Sequence, residues 1–480
     1  MKKHLLLYAL SVLVFLASCS KNTVDEDLNP TTPANTVEVS GDVTANTTWS
    51  ADKIYLLKGN IFVTNNATLT IQPGTIIKGD KATKGALIIT RGAKIMAVGT
   101  VEKPIVFTSS IAAGARKEGD WGGVILLGKA QNNIGTSVAI EGISDATDKG
   151  KHGGNDNTDN SGTMKYVRIE YAGIALSPDN EINGLTFGSV GSGTTIDYVE
   201  VYRSGDDAFE WFGGSVNCSH LLAIDSWDDD FDTDNGFSGK VQFGLAQRLA
   251  NTADVSGSNG FESDNNSAGT TATPQTSAVF SNMTILGPVG SGSSSINANF
   301  QHGAQIRRNS AMSLFNSVIV GYTEGVFIDD ALPNATTSVA TSPNLTSGAI
   351  VVANNLIYNS NSKGNQIKAS NATALTAITA LLTGTLAANT FDPAALASAI
   401  FTDPYKYSAD LASGTRVGTP NFTLVAGSAA ATGASFTNSK VATGFTNVAY
   451  RGAFGADNWA AGWAHFDPQS LPYTTPGAVK

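Results

Sequence analysis

Two cysteines in 480 residues allow one disulfide at most, so no cross-linked framework can hold this fold and stability must come from packing. Five histidines, none in a Cys/His spacing, exclude a zinc site. Charged residues are only 15% of the chain, and 30 basic side chains face 40 acidic ones. A net charge of −10 argues against nucleic acid or an anionic membrane surface as a partner. Beyond the first residues no apolar run reaches the roughly eighteen needed to cross a bilayer. P-loop, nucleophile-elbow and dinucleotide fingerprints are missing, so neither a nucleotide nor a redox cofactor is expected. What is present is 41% hydrophobic residues, enough for a large core, and 50 glycines against 15 prolines. With abundant Ser, Thr and Asn, that composition favours many short strands and turns over helical bundles.

Lys2 and Lys3 precede an apolar run over residues 5–17, too short to span a membrane and shaped like an export signal. Leu16-Ala17-Ser18-Cys19 resembles the lipobox of bacterial lipoproteins, which implies cleavage after residue 18 and acylation of Cys19. Each buried acyl methylene would add about 0.8 kcal/mol of membrane affinity. Cys218 would then be the only free thiol. Residues 19–36, with Asp25-Glu26-Asp27 and a Pro/Thr/Asn-rich stretch, read as a flexible tether. The acidic cluster resembles the tag that sends some lipoproteins to the cell surface, although a solvated linker accounts for it equally well. The expected location is the outer membrane, with the surface favoured over the periplasmic face.

Internal similarity defines the body. Leu69-Thr70-Ile71 aligns with Leu87-Ile88-Ile89 at an offset of 18. In the middle, Ser204-Gly205-Asp206-Asp207-Ala208-Phe209-Glu210 aligns with Ser226-Trp227-Asp228-Asp229-Asp230-Phe231-Asp232 at an offset of 22. Units this short cannot bury their own faces, so each must stack on the next. The expected fold is therefore all-β, a right-handed parallel β-helix over residues 37–480, and a β-sandwich, which needs no fixed offset, is the alternative. Asn282, Asn316 and Asn354 each precede an apolar strand, a pattern suited to an asparagine ladder. Residues 371–402 contain apolar positions at helical spacing, and Asp392-Pro393 suits a second helix start over residues 393–400. Residues 445–480, with Trp459, Trp463 and Phe466, are expected to plug the open end of the coil.

The chemistry gathers in the middle repeats. With Phe209, Phe231 and Phe261 inside, alternation sends Glu210, Asp232 and Glu262 outward. Coils lie about 4.8 Å apart, where two bare charges repel by about 3 to 4 kcal/mol at an effective dielectric of 20. Asp230 and Asp234 are expected on the same outward face, with Asp206, Asp207 and Asp264 nearby. Oxygen ligands at this density suit Ca²⁺. Arg307, placed beneath Glu262 by the same register, could neutralise part of the column without a metal, and a solvated stripe is the third reading.

Two enzyme readings use the same residues. Gly205-Asp206-Asp207 and Asp232-Thr233-Asp234 resemble signatures of polygalacturonase-type hydrolases, in reversed order; His302-Gly303 and Gln305-Ile306-Arg307-Arg308 match that family's later elements only loosely. A pectate-lyase-like mechanism would use Ca²⁺ and an Arg or Lys base, with Arg203, Arg248, Arg307 and Lys240 as candidates. Asp206, Asp207, Arg203 and Arg307 are thus the weak catalytic candidates. His220 and His302 read as satisfied structural residues, and Trp211, Phe212 and Tyr202 are candidates for stacking on sugar rings or for the core.

Through Gly205-Asp206-Asp207-Ala208-Phe209-Glu210-Trp211 and residues 459–468, nearly the whole mature chain resembles exported bacterial lipoproteins with a right-handed parallel β-helix. That resemblance implies a fold and an envelope location, and no reaction. The expectation is a lipid-anchored envelope protein with a binding or structural role, calcium-stabilised and facing glycans. A polysaccharide lyase or glycoside hydrolase is the alternative.

Overall fold

The computed structural model describes residues 35–143, 147–175, 181–291, 295–360, 362–406 and 418–480. The expected leader, Cys19 and all but the end of the tether lie outside the described residues. No helix among the described residues is long and apolar enough to cross a membrane.

Strands of three to six residues cannot bury themselves, and here each pairs in parallel with the strand one coil further on. Ten of them form one continuous sheet in chain order: β1 (Asn60–Val63), β2 (Ala86–Ile89), β3 (Val124–Leu127), β4 (Leu185–Val190), β5 (Phe209–Gly214), β6 (Phe231–Asp234), β7 (Phe261–Ser263), β8 (His302–Ile306), β9 (Glu324–Ile328) and β10 (Ile367–Ala369). An 18-stranded sheet forms the rest of the wall. Long strands such as Gly162–Glu170 and Lys240–Gln247 turn a corner in mid-course and pair with two separate strands of the adjoining coil. The architecture is the expected parallel β-helix, with few helical residues.

The offset of 22 is a true coil repeat, since Phe209 aligns with Phe231 and Val199 with Leu221. The offset of 18 is not. Leu69 aligns with Ile95, while Leu87 belongs to the ten-stranded sheet and faces Ile61 and Val124. That alignment had matched two sides of one coil, because both sides share the strand, glycine turn and strand pattern.

The corner of the long strands is a column of left-handed residues: Tyr166, Tyr198, His220, Phe243, Asn282, Asn316 and Asn354 all have φ between 51° and 62°. Asparagine tolerates that conformation, whereas aromatic residues adopt it at a cost of roughly 1–2 kcal/mol. Stacking offsets the cost: Tyr166 lies 4.6 Å from Tyr198, Tyr198 4.1 Å from His220, and His220 5.1 Å from Phe243. The expected asparagine ladder divides in two. Asn282 and Asn316 hold the C-terminal chain through Tyr450 and Ser435. The stack proper runs from Ser317 through Asn355 to Asn389, with bonds of 2.8 to 3.0 Å.

A short helix, α1 (Ser342–Ser347), lies ahead of the expected helical region; within that region α2 (Ala372–Leu382) forms, and its Asn371 cap accepts from Ala374 N–H. Ile378 and Leu382 join the main core, so α2 covers the last coil. The second helix does not form: residues 393–400 contain a single 3₁₀ turn, Ala397–Ala399, because Thr390–Asp392 is already a strand pairing with Leu356–Tyr358.

The C-terminal aromatics do not plug an end. Phe422, Phe454, Trp463 and Phe466 pack along one flank against Tyr171, Tyr202, Leu222 and Leu245, and Tyr473 and Val479 reach Ile54, Ile76 and Val106. Buried charges fasten this strap. Arg168 donates to Tyr473 Oη at 2.8 Å and to Val479 O at 2.6 Å, and pairs with Glu170 at 3.3 Å. Tyr473 donates to Glu170, and His465 N–H donates to Glu200 at 2.9 Å. One guanidinium thus faces two carboxyls with almost no water. Burial pushes Glu200 up to about 8, with Arg168 opposing the shift. His465 is lowered to about 4 by burial and by Arg168, and is neutral at physiological pH.

Candidate metal centre

Strand alternation builds the site. Phe209, Phe231 and Phe261 stack inside at 5.7 and 5.5 Å, and the next residues, Glu210, Asp232 and Glu262, are register partners across β5, β6 and β7. The vertical file expected from the sequence is present on the outer face of the ten-stranded sheet.

A second file stands beside it, in the turns entering these strands. Asp207 accepts from Asp229 N–H at 2.7 Å, Asp229 accepts from Asn259 N–H, and Asn259 accepts from His302 N–H at 3.0 Å. Each turn side chain therefore holds the backbone of the next coil with one oxygen. Together with Asp206 and Asp228, one residue earlier in the same turns, the two files make three groups, Asp206/Asp207/Asp228, Asp207/Glu210/Asp232 and Asp229/Asp232/Glu262, each with one oxygen per residue within 4.8 Å of the others. A cation about 2.4 Å from each ligand holds two of them at most about 4.8 Å apart. Asp207 and Asp232 each belong to two groups, so the three possible cation positions form a chain.

The electrostatics demand compensation. Burial, then the neighbouring carboxylates, raise Asp206, Asp207, Glu210, Asp229 and Asp232 well above the ordinary range. Asp228 is pushed up to about 6, and Glu262 to about 8 by burial against the opposing pull of Arg307. Among the described residues Arg307 supplies part of that compensation at the Glu262 end of the file. Arg307 pairs with Glu262 and, at 2.8 Å, with Asp264; Arg308 pairs with Asp264 at 2.6 Å. Asn183, 1% exposed, gives Nδ2 to Glu210, while its Oδ1 has no partner. A neutral oxygen beside clustered carboxylates is the donor set of a hard divalent cation.

Several expectations are corrected. Asp230 does not share the outward face: it is fully buried, 2.8 Å from Arg248 and 2.7 Å from the Tyr322 hydroxyl, because it lies at the strand entry, before alternation begins. Asp234 continues the outward file opposite Phe212 and is raised to about 8, by burial and then by Asp264. Gln305, not Arg307, is the register partner of Glu262; Arg307 reaches it from two residues further on. Arg203 pairs with Asp225 and Glu118, Arg248 is buried with Asp230, and Lys240 lies on the other sheet near Thr443, so none of these three faces the files. Trp211, Tyr202 and Phe212 are buried and unavailable for stacking on a ligand. Cys218 is buried and free.

His302 is not isolated. It contacts Glu324 at 3.0 Å and Lys368 at 3.1 Å, and Lys368 pairs with Glu324 at 2.7 Å, giving the face a mixed-charge patch beyond Glu262. Asp228 and Asp229, absent from the expected ligands, carried a signal: the same 22-residue alignment sets them against Asp206 and Asp207.

Residues 41–397 match a family described as a pectate-lyase like beta helix domain, which is most of the chain. Searches of curated proteins and of solved structures return no match. The chain belongs to the pectate-lyase-like β-helix family, and membership supports a polysaccharide-related role at the level of the family.

Proposed function

We propose that this member of the pectate-lyase-like β-helix family is a lipid-anchored cell-envelope protein that holds calcium along its acidic face and binds an acidic polysaccharide there. The carrying observation is the chain of three carboxylate groups linked through Asp207 and Asp232. Ca²⁺ takes six to eight oxygens; three carboxylates and the Asn183 amide supply part of that shell, and the carboxylates or hydroxyls of a uronate chain would supply more. The anchor is Cys19, in the outer membrane and facing the exterior. Equilibrium dialysis against ⁴⁵Ca²⁺, followed by binding of polygalacturonate with and without EDTA, tests the site. Palmitate labelling that disappears in Cys19→Ala, combined with protease shaving of whole cells, tests the address.

A second reading is a calcium-dependent lyase or a glycoside hydrolase on the same face. It is favoured by Asp207, whose carboxyl burial and then the neighbouring Asp206 and Asp229 raise well above the ordinary range, the direction a general acid needs. Two observations weigh against it. Within each group the carboxylate oxygens lie within 4.8 Å, closer than the roughly 6.5–9.5 Å of inverting hydrolases and nearer the roughly 5–5.5 Å of retaining ones, so this spacing weighs against inversion alone. Arg307, the one candidate base on this face, is held protonated by Glu262 and Asp264. Release of unsaturated uronides or of reducing ends by the purified protein would decide for the enzyme.

A further inference from the structure

Of the six tryptophans, Trp49, Trp121, Trp211 and Trp463 are buried and Trp459 is half-buried, whereas Trp227 is 40% exposed. A single exposed aromatic is common on protein surfaces, but one already held rigid loses little entropy when a ligand covers it. Trp227 is rigid. Its N–H donates to Ser204 O at 2.8 Å, its carbonyl accepts from Ser258 Oγ at 2.9 Å, and its indole Nε1 donates to Asp254 at 2.8 Å. The buried Arg248 guanidinium grips the carbonyls on either side, those of Ser226 and Asp228. Arg248 is itself fixed by Asp230, so the buried pair that takes no part in the carboxylate files holds this turn in place.

The position links the indole to the metal centre. Trp227 precedes Asp228, a member of the first carboxylate group. Ser256 Oγ bridges the Asp254 carboxylate, which receives the indole N–H, to Asp228 at 2.6 and 2.8 Å. Ring and ligand therefore belong to one hydrogen-bonded frame.

We propose that Trp227 is the stacking platform of a sugar subsite: the apolar face of a pyranose lies on the indole while its carboxylate or hydroxyl oxygens complete the shell of a cation at Asp206, Asp207 and Asp228. This inference rests on the calcium-and-glycan reading and adds to it the residue that recognises the ring. A rigid aromatic loses little conformational entropy on binding, the usual reason that tryptophan carries a large share of interface energy.

The test uses the full mature protein, hexagalacturonate as probe, and saturating Ca²⁺. Acrylamide quenching of tryptophan emission should fall when the oligosaccharide binds, because the most exposed indole becomes covered. Trp227→Ala should weaken hexagalacturonate binding at least tenfold and ⁴⁵Ca²⁺ binding far less, because Asp228 keeps its contact with Ser256, and Trp227→Phe should recover part of the saccharide loss. Equal affinity in wild type and Trp227→Ala, unchanged quenching, or no hexagalacturonate binding would overturn the proposal. Saccharide binding that depends on Trp227 but persists in EDTA would retain the platform and remove calcium from it.

Discussion

The buried group around Arg168 yields a quantitative prediction that does not depend on any ligand. In the folded protein Glu200 titrates near 8, against about 4.3 in an unfolded chain. A carboxyl whose pKa rises on folding keeps its proton longer in the native state, so between those two values the unfolded state binds fewer protons and stability falls as pH rises. The slope approaches about 1.4 kcal/mol per pH unit, and from pH ~4.5 to pH ~7.5 it accumulates about 4 kcal/mol. With an unfolding entropy of about 2.1 cal/mol/K per residue, that is a drop of about 4 °C in Tm for a chain of this length. Glu200→Gln supplies a permanently neutral group that still accepts from His465 N–H, leaving Arg168 paired with Glu170 and bonded to Tyr473. Differential scanning calorimetry should find the variant within a degree or two of wild type near pH 5 and several degrees more stable near pH 7.5. Parallel Tm profiles for the two proteins would refute the assignment of a retained proton to Glu200.

Four further outcomes follow from the site and the core. Calcium at about a hundred times its dissociation constant should raise Tm through about 2.7 kcal/mol per bound ion, and EDTA should reverse the rise; an unchanged Tm removes the metal. Asp232→Asn, which strikes two of the three linked groups, should abolish more ⁴⁵Ca²⁺ binding than Glu262→Gln, which strikes one. Phe231→Ala, opening a cavity between Phe209 and Phe261, should cost about 3–5 kcal/mol by chemical denaturation. Cys218, buried and with its thiol pushed up by desolvation, should resist thiol reagents until the protein unfolds.

The coil and its outward carboxylates were legible because the 22-residue repeat fixes which residues stack, and alternation then fixes which way each points. Legibility failed wherever those two rules stop. Asp230 precedes its strand, so parity does not apply to it, and an internal arginine captures it instead. Leu69 and Leu87 share a local pattern that does not distinguish one side of a coil from another. The C-terminal aromatics gave no sign that they would run along a flank, since no repeat extends into them and their partners, Tyr166 and Tyr198, lie more than 250 residues away in sequence. Trp227 was hidden for the opposite reason: its register partner in the alignment is Gly205, and only the packed loop shows its ring left uncovered.

The strap has a consequence for how the molecule is made. Residues 468–479 supply the acceptors for Arg116 and Arg168, yet they leave the ribosome after the coils they fasten. Until they arrive, two arginines and the glutamates beside them stand on a finished wall without their lid, and contacts of such long sequence separation form slowly. Early coils can therefore wind as they emerge, but the contacts that fasten them to the strap form only once this later segment has followed.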